Sequence, residues 1–257
     1  MTAQTRSHLP RFLIDRAAAP GDTVPLRSDE AKHARVRRLS VGDPVALFDG
    51  AGRSYVATLE SLTREGAVVR ISEALPEGAG ESSLELTLAV AALKADRFDW
   101  VVEKSTELGV ARIQPFTSTH TLAHPSHARQ ARWHQIALAA AKQCGRSAAP
   151  AIGAPSDFAA VLALPAAARL LFAEDGSGAS LATLPLATPA SIVAVVGAEG
   201  GFTADELAAA RAAGCHLIGL GPRILRAETA AITAAALCQA RWGDLSAGCA
   251  GAFSVER

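Results

Sequence analysis

The stretch from Ile192 to Thr229 restricts the fold of this chain more than any other part of it. It opens with Ile192-Val193-Ala194-Val195-Val196, an apolar run too short for a membrane and rich in β-branched side chains, which predicts a strand buried in a core. Gly197-Ala198-Glu199-Gly200-Gly201 follows, a loop carrying one carboxylate. Thr203 and Glu206 have capping-box spacing, so a helix is expected to start at Ala204, and Gly214 fits its C-terminal stop. A second short strand at Leu217 leads into a second glycine loop, Leu220-Gly221-Pro222-Arg223-Ile224-Leu225-Arg226, ahead of Ala227-Glu228-Thr229. Two glycine loops at strand ends, separated by one helix, are the usual place for a small-molecule site in an α/β sheet.

The charge in the first loop narrows the ligand. A loop that cradles phosphates relies on bare backbone N–H groups and a lysine, and neither the P-loop pattern nor Gly-x-Gly-x-x-Gly is present. Glu199 would repel a pyrophosphate, whereas it tolerates a cationic or neutral ligand. A nucleotide hydrolase would account for the glycines but not for Glu199 or the missing lysine. A non-catalytic RNA-binding or ribosome-assembly factor would not need two such loops.

Upstream the pattern changes character. From about residue 8 to 74 the signals are short strands and tight turns: Val45 to Phe48, then Asp49-Gly50 as a hairpin turn, then Ser54 to Leu62, Glu65-Gly66, and Val68 to Ile71. These predict a small β-barrel domain over 1–74. Residues 75–83, with Gly78 and Gly80, have linker composition. From Leu84 strands alternate with helices, the signature of a parallel sheet with helices on its faces, expected over 84–245. Asp96 is expected to cap a helix through Leu108, with Phe98, Val101, Val102, Ser105 and Leu108 on one face and Gly109 as the stop. A long helix is expected from Ser126 to Cys144, burying Trp133, Ile136, Ala137, Ala140 and Cys144, and a closing helix from Ala230 to Arg241. The tail, 246–257, receives no role.

A length of 257 residues suits two domains, and 49% hydrophobic with 19% charged residues is a globular composition. The polar start lacks an apolar signal core and no run approaches a membrane span, so a cytoplasmic protein is expected. Cys144, Cys215, Cys238 and Cys249 form no Cys-x-x-Cys pair and read as small buried hydrophobes, with no metal expected. Net charge is zero, but residues 1–38 hold eight Lys or Arg against four Asp or Glu. The surplus gathers in Lys32-His33-Ala34-Arg35-Val36-Arg37-Arg38, where it reads as phosphate contact on a small β-rich module or as a solvated helix face.

At these motifs the chain resembles the RsmE family of SPOUT methyltransferases, which methylate N3 of a uridine in small-subunit ribosomal RNA with S-adenosylmethionine. The likeness runs through most of the chain. It includes Pro10-Arg11-Phe12, His33-Ala34-Arg35-Val36-Arg37, Leu47-Phe48-Asp49-Gly50, Glu103 to Val110, Ala140 to Arg146, and both glycine loops. The family usually has Pro where this chain has Ala198, and an acidic residue and an Arg where it has Thr119 and His120.

The resemblance implies a PUA-like first domain and a SPOUT domain whose C-terminal loops form a trefoil knot. It also implies a homodimer with composite active sites acting on 16S rRNA within the small ribosomal subunit. Cofactor candidates are Phe172, Gly197, Glu199, Gly200, Gly201, Leu220, Gly221, Ile224, Leu225 and Thr229. Negative charge develops on the uracil carbonyls during transfer, and arginine suits its stabilisation. Arg226 is the first candidate for that task and Arg11 the second. Glu107 is a candidate base or else a surface partner of Lys104, and Glu228 is expected to hold Arg226 or Arg223. RNA contacts are expected from Arg11, Lys32, Arg35, Arg37, Arg38, Gln143 and Arg146.

Overall fold

The computed structural model describes residues 9–122, 127–173 and 178–246. Arg6, Ser126 and Cys249, and all of the tail beyond Ser246, lie outside the described residues. The chain divides into two compact units, and the division does not follow the order of the sequence. Residues 138–149 belong with the first 81, while 82–137 and 150–247 form the second unit.

In the first unit β1 (Arg11–Leu13), β2 (Thr23–Leu26), β3 (Pro44–Phe48), β4 (Ser54–Leu62) and β5 (Ala67–Ala74) form one sheet in the order β1-β3-β4-β5-β2. Only β1 and β3 run parallel. Phe12, Leu47, Leu59 and Ile71 are fully enclosed in its core. The expected Asp49-Gly50 two-residue turn is instead a five-residue connection between Phe48 and Ser54. Asp49 organises it by accepting from the N–H groups of Ala51 at 2.8 Å and Arg53 at 3.0 Å, an aspartate turn in place of a tight hairpin. The basic segment lies on a helix, α1 (Ser28–Val36), that buries Ala31 and Ala34 and exposes Lys32 and Arg35.

The segment of linker composition is tied down rather than slack. Gly78 donates to Gly52, and the Glu81 carboxylate accepts from the Ser147 and Ala148 N–H groups, both at 2.9 Å, and from Arg146. Lys142 meets the buried Glu30 at 2.5 Å, and Gly50 lies so close to Leu138 that a Cβ there would stand 2.8 Å from its side chain. These contacts explain why 138–149 leaves the second unit. A strand-helix pattern read along the chain cannot register them.

The second unit is built on a parallel sheet of β6 (Glu85–Ala91), β7 (Arg112–Thr117), β8 (Ala151–Ile152), β9 (Ser156–Asp157), β10 (Ala168–Phe172), β11 (Ser191–Val196) and β12 (His216–Ile218). Its order is β12-β10-β11-β6-β7-β8, with β9 also on β7. β11 lies between β10 and β6, and Ile192 to Val196 are each at most 2% exposed, which is why that strand reads as a continuous apolar run.

Helices α2 (Ala95–Glu107), α3 (His127–Cys144), α4 (Phe158–Leu162), α5 (Ala204–Ala212) and α6 (Ala227–Trp242) complete the element order. Phe98, Val101, Val102 and Ser105 of α2 are buried as expected, and Phe98 meets Trp133 with ring centroids 4.2 Å apart. Asp96 does not cap α2: Lys94 holds that position, and Asp96 falls inside the first turn, where its charge favours the helix dipole. Ile136 and Cys144 of α3 are only half-buried. The α5 capping box is formed on both sides, Thr203 accepting from the Glu206 N–H and Glu206 from the Thr203 N–H. α6 starts three residues before the expected Ala230, because Arg226 rather than a later residue takes the extended N-cap conformation. Among the described residues no helix is long and apolar enough to cross a membrane.

Candidate functional site

Three neighbouring parallel strands end side by side. In register, Phe172 of β10 lies opposite Val196 of β11 and Ile218 of β12, so the loops after all three open on one edge of the sheet. That edge is where an open α/β sheet places its ligand. A cavity of about 320 Å³ lies there, within the range usual for small-molecule sites. Phe172, Gly197, Gly200, Gly201, Leu220, Gly221 and Leu225 line it, seven of the ten cofactor candidates.

Glycine is needed here for space and for backbone shape. A Cβ on Gly197 would come within 3.0 Å of the Phe202 ring, and one on Gly200 within 2.9 Å of His120. Gly201 has φ +65° and donates its N–H to the Ala198 carbonyl at 2.9 Å, closing the turn without the family's proline. The Thr119-His120 departure supports the same turn. The Thr119 N–H and hydroxyl both donate to Glu206, at 2.9 and 3.0 Å, and His120 Nδ1 lies 3.4 Å from the Gly201 carbonyl. Burial alone would push the Glu206 carboxyl up. Donation from Thr119 and Thr203 outweighs it and holds the group below the usual carboxylate range.

The remaining cofactor candidates lie elsewhere. Ile224 is 84% exposed, and Thr229 is exposed outside the lining. Glu199 turns to Arg97 on α2, whose Nη1 donates to it at 2.6 Å. Glu228 is buried and faces the same arginine, Nε to Oε1 3.8 Å, rather than Arg223 or Arg226 as expected. Arg97 could not be found from the motifs, because it stands more than a hundred residues from either partner. Phe202, Leu207 and Arg223 also line the cavity. Phe202 adjoins the first loop in sequence, and Leu207 lies on the inner face of α5, where the capping box could have pointed to it.

The other predicted groups separate by their partners. Arg226 is exposed at the N-cap of α6, and its side chain caps nothing. Glu107 pairs with Lys104 at 2.8 Å, the surface alternative to a base, and the Lys104 ammonium is pushed up to about 12 by its bonds to Glu103 and Glu107. Arg11 spends both terminal nitrogens on the Gly145 and Arg146 carbonyls, each at 2.7 Å, and stacks over Phe48 at 5.0 Å. Burial pulls its guanidinium below the ordinary value. Arg146 is 5% exposed against Glu81, so it stands inside the protein rather than on an RNA-facing surface. Arg35 bonds the Thr63 carbonyl at 2.6 Å, while Lys32, Arg37, Arg38 and Gln143 are exposed.

Residues 80–239 match the family model described as an RNA methyltransferase domain, and 26–72 match an RNA methyltransferase PUA domain. The ribosomal RNA small subunit methyltransferase E of Synechocystis sp. is 36% identical over 211 residues, covering 79% of this chain and 67% of that protein. The chain belongs to the RsmE family. The RsmE protein of Mycobacterium bovis is 28% identical over 93% of this chain and 95% of its own. Among solved structures, the RsmE of Neisseria gonorrhoeae bound to S-adenosyl methionine superposes with TM-score 0.81 at 32% identity, over 92% of this chain and 99% of that one. A Legionella pneumophila methyltransferase with its bound cofactor SAM gives 0.83 at 30%, over 93% and 100%. RsmE membership makes the chain an RNA methyltransferase with a SPOUT-type parallel sheet and a PUA-type first domain.

Proposed function

We propose that the protein transfers the methyl group of S-adenosylmethionine to N3 of a uridine in 16S rRNA, presented within the small ribosomal subunit. The observation that carries this reading is the cavity at the ends of β10, β11 and β12, floored by apolar side chains and framed by glycine backbone. These residues fit the cofactor. Phe172, Val196, Leu207, Leu220 and Leu225 offer apolar contact to an adenosine. Two RsmE-like structures are described as holding SAM, which supports the assignment.

When bound, S-adenosylmethionine supplies a methyl activated on a sulfonium. The protein's part is to orient, to exclude water and to stabilise charge. Arg226 is proposed to meet the uracil oxygen that gains negative charge, since its fork is exposed at the mouth of α6 and bonded to no cap. Lys32, Arg37, Arg38 and Gln143 are proposed RNA contacts, and Arg11 and Arg146 are proposed to position the 138–149 segment instead of touching RNA. A homodimer and a knotted C-terminal segment remain part of the proposal. The exposed Trp100 and Leu237 support a further partner surface on the second unit.

Nucleoside mass analysis of 16S rRNA from small subunits treated with the protein and labelled cofactor tests the reading. Labelled 3-methyluridine is expected. Cofactor binding without label in RNA would favour a binding factor, and label on another base atom would displace N3.

A further inference from the structure

We propose that Arg97 is a positioning residue that sets the spacing between the first cofactor loop and the helix that follows the second, by holding Glu199 of that loop and Glu228 in the first turn of α6 on one guanidinium. The inference rests on the cofactor reading above and adds a residue that lines no part of the cavity. Nη1 of Arg97 donates to Glu199 Oε1 at 2.6 Å, and Nε lies 3.8 Å from Glu228 Oε1. The two acids belong to different elements, the 197–201 turn and the first turn of α6, 29 positions apart, while the arginine comes from a third.

Three features show that this contact does more than solvate a surface. The first is the position of the arginine. It stands in the first turn of α2, where a cation opposes the helix dipole, so the helix itself gains nothing from it. The second is burial. Glu228 is 7% exposed, its Oε2 has no hydrogen-bond partner among the described residues, and no other ion pair of Glu228 is present there. Without Arg97 a buried carboxylate would lose its cation. The third is rigidity. Phe98, Val101 and Val102, next in the same helix, are completely buried, so the guanidinium is carried on a base that does not shift with the loops.

The geometry divides the two acids by role. Glu228 in the first turn of α6 sits at the favourable end of that helix dipole and is fixed by burial. Glu199 is half-exposed on the 197–201 turn, with Arg97 as its ion-pair partner among the described residues. Arg97 therefore ties the 197–201 turn to the positions of α2 and α6. A lysine carries the charge but not a planar fork with donors on two sides, so it can serve one acid well and not both.

The test measures S-adenosylmethionine affinity by calorimetry, the single-turnover methylation rate at saturating cofactor, and amide exchange of 197–201 in the ligand-free protein. Arg97→Met is expected to weaken affinity about tenfold, to speed exchange across the turn, and to leave the saturated rate within about twofold. Arg97→Lys should recover part of the affinity. If Arg97→Met does not fold, Glu199→Gln decides: its exposed side chain can be altered without touching the core, and a several-fold weaker affinity is expected. Wild-type affinity and exchange in either folded variant overturn the clamp. So does a saturated rate that falls in step with affinity, which would put Arg97 against the reacting atoms. Should the wild-type protein itself not bind S-adenosylmethionine, the cofactor reading fails, and unchanged exchange in Arg97→Met would separately overturn the clamp.

Discussion

Replacing Glu81 by alanine should destabilise the first unit severely, although the residue lies in a stretch of linker composition. Its carboxylate accepts five hydrogen bonds: from Arg146 at 2.9 and 2.7 Å, from the Ser147 N–H and hydroxyl at 2.9 and 3.2 Å, and from the Ala148 N–H at 2.9 Å. Arg146 is only 5% exposed. Removing one member of a buried ion pair costs about 3–5 kcal/mol, and the Arg146 contacts that remain place the loss near 3. For a unit of about a hundred residues this lowers the melting midpoint by at least about 12 °C, at roughly 4 °C per kcal/mol. Calorimetry measures the transition, and hydrogen exchange at the Ser147 and Ala148 amides locates it. Glu81→Gln keeps an acceptor and loses the charge, so it should fall between. Because the pair is buried, added salt should change the result little. A midpoint within about 3 °C of wild type, with those amides still protected, would refute the reasoning and return Arg146 to the list of groups free to meet RNA.

Arg226→Ala should slow methylation about a hundredfold or more while cofactor and RNA affinities change far less, and Arg226→Lys should not restore the rate fully; a wild-type single-turnover rate removes Arg226 from the mechanism. Replacing Lys32, Arg37 and Arg38 together by Ala should make the salt dependence of RNA binding shallower by up to about three units, with cofactor titrations unchanged. Burial, reinforced by Lys142, holds His33 below its ordinary value, so the folded protein favours the neutral ring. The unfolded chain then binds more protons, and stability should decline as pH drops below about 6.5. His33→Gln should flatten that part of a denaturation profile, and an unaltered slope would show that His33 is not its source. In light scattering at micromolar concentration the protein should have the mass of a dimer.

How much could be read without coordinates depends on how far apart the cooperating residues lie in the chain. The Ile192 to Val196 strand, the α5 capping box and the glycine stops at Gly109 and Gly214 are local. Each follows from the backbone preferences and hydrogen bonds of residues within one or two turns, and each appears where the sequence placed it. The two glycine loops were legible for a related reason, since Gly201 and Gly221 hold positive-φ conformations that glycine favours. α1 was open in the sequence between a solvated helix and a basic patch. Its alanine pair faces inward, so helix and exposed patch hold together.

Charged side chains behaved differently. Arg11, Arg146, Glu199 and Glu228 were all read from their motifs, yet their partners come from Gly145 and Arg146, Glu81, and Arg97, over separations of 65 to 135 positions. A motif states that an arginine is present but not which carboxylate or carbonyl reaches it first. That outcome depends on which elements the sheet order brings together. Sequence by itself therefore determined the β11 strand, the α5 capping box and the glycines that end helices in this protein, because those are settled by neighbours in the chain. Only the tertiary structure decided which of its arginines are free to meet a ligand, because desolvation and ion pairing depend on residues that the chain keeps far apart and folding makes adjacent.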